Sequence, residues 1–151
     1  MTTTTRAVGR TAVSPETVWS VLGDYFALAS WSTQIDHSSA MTATEVGLGA
    51  SRRVTVGSAV LIENVVEWQP GEGLAYEIVG LPPVLRRVEN RWRLTPDGDG
   101  TAIELTATIQ PGPKPPMKLA AKAVARRIGK TNRSLVDDLI AAAERRKETS
   151  P

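Results

Sequence analysis

Only one long stretch of this chain reads as an amphipathic helix, and it comes last. Residues 117–146 place Met117, Ala121, Val124, Ile128, Leu135 and Leu139 at spacings of three, four and seven, which makes a single apolar stripe. Nearly everything before it reads as strand. A sheet with one apolar face must cover that face, and no other large amphipathic element is available. The chain is therefore constrained to an α+β arrangement, an antiparallel sheet with the last helix laid across it. Gly129 falls inside that helix and weakens it locally by about 1 kcal/mol relative to Ala.

The strand reading rests on alternation. Val88, Asn90, Trp92 and Leu94 share one parity, and Glu89, Arg91 and Arg93 the other. Ile103, Leu105, Ala107 and Ile109 alternate in the same way with Glu104, Thr106 and Thr108. Such segments are half-buried antiparallel strands with one wet face. Residues 4–13, 35–45, 52–56, 59–68 and 74–79 bring the expected strands to seven. Gly57-Ser58, Pro70-Gly71 and Asp97-Gly98 supply short turns, which pair consecutive strands antiparallel. The Leu81-Pro82-Pro83-Val84 stretch is a loop, because adjacent prolines do not fit a central strand. Between the first two strands, residues 13–31 open on Ser14-Pro15-Glu16, an N-cap, a proline at the first helical position and an acid in the first turn. Two short helices follow, at 15–22 and 25–30. The tail 147–151 is expected to fray.

Composition excludes several chemistries. With no Cys there is neither a disulfide framework nor a thiolate, and a single His argues against zinc. No acidic cluster suggests magnesium, so neither metal nor other cofactor is expected. No run of about 18 apolar residues spans a membrane, and MTTTTRAVGR has no apolar signal core. One domain over 1–151, in the cytoplasm by default, is the expectation. The net charge of +2 hides an asymmetry: residues 114–136 hold seven Lys and Arg and no acid, which leaves −5 for the rest. Lys114, Lys118, Lys122, Arg126 and Lys130 fall four apart, on one helix face. A solvated face is the first reading, attraction to an anionic membrane the second. Nucleic acid is set aside, because no aromatic or glycine residues interleave the cations.

The succession of strand, two short helices, six strands and a long helix resembles the START-like superfamily, which includes polyketide cyclases and dehydrases and the birch-pollen allergen. At residue level the likeness is densest at Pro15-Glu16 with Val18-Trp19, at Asp24 and Trp31, and at Val60-Leu61-Ile62-Glu63 followed by Trp68. It implies a helix-grip fold, a seven-stranded sheet wrapped around the C-terminal helix, with a hydrophobic small molecule or lipid held between them. In relatives a Glu at the position of Glu63 lines the pocket.

Candidate pocket residues follow from parity as well. Glu63 shares its face with Leu61 and Val65, and an inward carboxylate is costly unless hydrogen-bonded or protonated. Asn90 beside Trp92 suggests a cavity more than a dry core, since a buried amide needs partners. Trp31, Phe26, Tyr25 and Tyr76 are further wall candidates, and His37 is the one imidazole able to move a proton near neutral pH; the resemblance implies that the loop holding Val84 borders the pocket mouth. Ala121, Ala125 and Gly129 leave volume on the helix stripe where a packed core would place Leu. Ligand binding is the preferred function. The alternative is a cyclase or dehydratase acting on a poly-carbonyl substrate in the same cavity, but no nucleophile is evident.

Overall fold

The computed structural model describes residues 2–43, 45–113 and 115–149. Seven strands, β1 (Thr3–Thr11), β2 (His37–Ala40), β3 (Ser51–Val56), β4 (Ala59–Gln69), β5 (Gly73–Val79), β6 (Leu85–Asp97) and β7 (Gly100–Pro111), form one antiparallel sheet in the order β1-β7-β6-β5-β4-β3-β2. The first helix, α1 (Pro15–Leu22), starts where the sequence places it: Ser14 Oγ accepts from the Thr17 N–H at 3.3 Å. Gly23 ends it, with its N–H on Trp19 O at 2.7 Å. Tyr25–Ser30 is a 3-10 helix kinked at Ala27. The last helix, α2 (Pro115–Thr149), lies against β1, β7 and α1. It continues past 146, so residues 147–149 are helical rather than a tail; 150 and 151 lie outside the described residues. No helix among the described residues is long and apolar enough to cross a membrane.

The expected strand over 35–45 shrinks to four residues in β2. It is an edge strand, paired only with β3 from His37↔Thr55 to Ala40↔Arg52, and it buries no residue fully. With no second neighbour and little apolar contact, nothing extends it further. β6, by contrast, runs well beyond the expected 88–94 at both ends because it pairs with β7 along nearly its whole length.

Two glycines set how closely α2 approaches the sheet. A Cβ on Gly9 would lie 2.8 Å from both Ile140 Cδ1 and Val136 Cγ1. A Cβ on Gly129 would lie 2.7 Å from Thr5 Oγ1. Gly129 therefore does not leave spare volume; it is the point where the helix touches β1.

The inward face carries two apolar layers. The larger joins Trp31, Tyr76, Trp92 and Leu105 to Leu135, Val136 and Leu139 of α2. The smaller is built on Val88, Ile109 and Ala125, with Ile78, Leu81, Leu85 and Ile128 packed around it. The antiparallel register puts the β3–β4 turn, the β5–β6 loop and the start of α2 at one end of the sheet, beside this smaller layer. The β2–β3, β4–β5 and β6–β7 connections lie at the other.

Candidate functional site

Strand parity turns Glu63 inward, as expected, and the register places Arg52 of β3 directly opposite it. Arg52 donates to Glu63 Oε1 from Nε at 2.8 Å and approaches it with Nη2 at 2.7 Å. Its Nη1 donates to Tyr25 O at 2.7 Å, while the Tyr25 hydroxyl donates to Glu63 O at 2.9 Å. The guanidinium carbon sits 3.8 Å from the Tyr25 ring centre and 4.8 Å from that of Tyr76. Two aromatic faces, a carboxylate and a carbonyl thus surround one buried cation. Burial disfavours the Arg52 cation, but Glu63 and the two phenols more than offset this and raise its pKa. Burial also raises the Tyr25 pKa, against the pull of Arg52. Tyr76 is pushed up to about 12 by burial and by Glu63, with Arg52, Asn90 and Trp92 opposing. Both phenols stay protonated at neutral pH.

A second polar chain links sheet to helix. Asn132 Nδ2 of α2 donates to Asn90 Oδ1 at 3.1 Å, and Asn90 Nδ2 donates to the Tyr76 hydroxyl oxygen at 3.3 Å. All three residues are buried. On β6 the sequence of layers is Val88, Asn90, Trp92; on α2 it is Ala125 and Ile128, Asn132, Leu135. The amides therefore form a polar belt between the two apolar layers. Trp31 meets Trp92 edge-on at 6.3 Å, and its buried Nε1 has no acceptor among the described residues.

The structure brings Glu63, Trp31, Tyr76, Asn90 and Trp92 into one interior region, with Phe26 and Leu61 half-buried against it. Ala121 and Ala125 are buried on α2, and Val84 is half-buried in the β5–β6 loop. His37 is not among them. It is exposed on the edge strand β2, away from the interior amides. Alternation read His37 on a mixed face, but an edge strand this short has no cavity to border.

Sequence reasoning missed Arg52 and Asn132. Arg52 shares the parity of the buried Val54, and that was the available signal. Asn132 lies four residues after Ile128 and three before Leu135, on the apolar stripe itself. Along the helix, Lys122, Arg126, Arg127, Lys130 and Arg133 are exposed. Lys114 and the side chains of Met117 and Lys118 lie outside the described residues.

At the end of the sheet where α2 begins, a cleft of about 220 Å³ is lined by Ile78, Leu81, Leu85 and Val88, with Arg86 and Arg87 on it. Its apolar wall is the outer side of the smaller layer.

Over residues 2–143 the chain matches the family described as polyketide cyclase / dehydrase and lipid transport. It belongs to that family. No curated protein sequence matches it. The family's fold is shared by the Zhui aromatase/cyclase from a Streptomyces species, at TM-score 0.82 and 18% identity over 99% of this chain and 98% of that one. The structure of Ara h 8.0201 superposes at TM-score 0.74 with 14% identity over 95% of this chain and 98% of its own. The di-domain aromatase/cyclase StfQ of the steffimycin pathway matches at TM-score 0.78 and 14% identity, over 99% of this chain and 53% of that one. At these identities the likeness is one of fold, and within this polyketide cyclase / dehydrase fold the buried Arg52–Glu63 pair and the amide belt are read from this chain's own residues.

Proposed function

We propose that this protein binds a hydrophobic small molecule between the sheet and α2, reached from the cleft beside the β5–β6 loop. The observation that carries the reading is the layered interior. A binding site of this kind has an apolar wall with a few convergent polar groups, and the amide belt set between two apolar layers supplies both. Asn90, Asn132, Tyr76 and the Trp31 N–H would be those groups, with Ala121, Ala125, Val84 and Leu61 on the apolar walls. Glu63 has a supporting role in this reading: it holds Arg52, and Arg52 holds the Tyr25 and Tyr76 rings.

Binding is preferred to catalysis on the same grounds. The one imidazole, His37, is on an exposed edge strand, Glu63 is engaged by Arg52, and Tyr76 is a weak acid. None is set to take a proton from a substrate near neutral pH. Family membership leaves a cyclase-type reaction as the alternative, and it would have to work by folding and orienting a poly-carbonyl chain.

Titration with a panel of flat aromatic and acyl-chain compounds tests the reading. Trp31 and Trp92 should report binding by a shift or quenching of indole emission, and Trp31→Phe and Trp92→Phe should remove their shares of the signal. Asn132→Leu should weaken binding of carbonyl-bearing compounds more than that of hydrocarbons. A panel that leaves both indoles unperturbed would overturn the proposal.

A further inference from the structure

Among the described residues, the two ends of the sheet differ in which charges are left without partners. The end where α2 begins presents Arg86, Lys122 and Arg126, all exposed, and none is in an ion pair among the described residues. The acids near that end are engaged. Glu77 and Glu89 face Arg87, and Asp36 accepts from the Gly57 N–H at 2.7 Å. The opposite end mixes charges: Glu45, Glu72 and Asp99 are exposed in its connections, with Arg93 and the last turns of α2, Arg145, Arg146 and Lys147, exposed beside them. The basic helix face alone would be an ordinary solvated surface. The structure adds a second feature at the same end: exposed apolar side chains. Leu119 is 75% exposed in the first turns of α2, and Val60 and Val79 are exposed beside the β3–β4 turn and the β5–β6 loop. Met41, Val46 and Leu48 are exposed at the far end too, but beside Glu45; apolar tips flanked by unpaired cations, with the nearby acids held in ion pairs or hydrogen bonds, suit one kind of surface, an anionic lipid bilayer. Cations meet the head groups, and the apolar tips enter the interface.

We infer that the α2-start end of the molecule docks on anionic membranes, with Lys122 and Arg126 supplying the charge contact and Leu119 the apolar one. Docking this way sets the cleft against the lipid. The docking itself needs no ligand, so its test is separate from the binding reading above.

Co-sedimentation with phosphatidylcholine vesicles, with and without phosphatidylserine, decides it. The protein should partition onto the phosphatidylserine vesicles only, and raised salt should release it. Lys122→Gln/Arg126→Gln should lower that partition by about thirty-fold, at about five-fold or more per charge. Leu119→Gln should lower it with no change in charge, and Glu72→Gln, at the far end, should not lower it. Circular dichroism checks that each variant is folded. Equal partition of wild type and the double variant overturns the inference. So does loss of binding in the double variant with none in Leu119→Gln, which would assign the face to a soluble acidic partner.

Discussion

Arg52 and Glu63 should behave very differently removed singly and together. Each carries a charge that is almost wholly buried, and each is the other's counter-ion. Taking away one leaves the other unpaired in a low-dielectric interior, which costs about 3–5 kcal/mol. Replacing both with apolar groups removes two desolvation penalties along with one attraction, and such exchanges are often neutral or stabilising. We expect Arg52→Met and Glu63→Leu each to destabilise by that amount, and the double variant to lie within about 2 kcal/mol of wild type. Urea unfolding of the four proteins measures it. Additive single effects would show that the residues act independently. The residue Arg52 also organises its surroundings through the Tyr25 carbonyl and two ring faces, so some loss in the double variant is expected from packing alone.

At the scale of elements, α2 has two unlike halves. Its C-terminal half is tied down by polar contacts: Asp138 accepts from the Thr33 N–H at 2.7 Å, Arg146 donates to Ser20 O at 2.6 Å, and Thr11 donates to Glu144 at 3.3 Å. It also buries Leu135, Val136 and Leu139 in the larger layer. Among the described residues, the half before Asn132 fully buries Ala121 and Ala125 and packs the half-buried Ile128 against the smaller layer. Local opening follows the least buried contact. Amides of residues 119–131 should therefore exchange faster in native-state hydrogen exchange than those of 132–145, and a bound ligand should slow the first group selectively. Uniform protection along the helix would contradict this. Much of this architecture was legible in the sequence because it follows from period. Alternation fixed the inward faces of β4, β6 and β7, and a stripe at helical spacing fixed the face of α2. What was not legible had polar chemistry on an apolar face. Arg52 and Asn132 both occupy positions where the pattern calls for an aliphatic residue, and each is accommodated only by a partner far away in sequence. Pattern reading is local and cannot see Glu63 across a hairpin or Asn90 across the core. The short β2 was overextended for a related reason, since an edge strand ends where pairing stops rather than where propensity does.

For the whole molecule, the two buried phenols couple folding to alkaline pH. Tyr25 and Tyr76 are the only tyrosines in the chain, and both are buried. Burial raises Tyr76 from 10.0 to about 12, and raises Tyr25 as well. A group whose folded pKa lies above its unfolded value keeps its proton longer in the folded state. The unfolded chain then binds fewer protons than the native one above pH ~10, so stability must fall as pH rises. The contribution is present in full below about pH 10 and is lost as pH climbs towards 12. For Tyr76 alone, a shift of about two units corresponds to about 3 kcal/mol. Tyr25 acts in the same direction. Because no tyrosine is exposed, no phenolate should form in the native protein around pH 10. Its near-ultraviolet absorbance should instead rise at higher pH, together with the loss of far-ultraviolet circular dichroism, as one cooperative transition. Tyr76→Phe should make stability less steep in pH over that window, while lowering it at neutral pH because the Asn90 amide loses its acceptor. Phenolate absorbance that appears near pH 10 with native dichroism intact would show that at least one phenol reaches solvent in the folded state, and the buried cluster around Arg52 would then not be the closed unit described here.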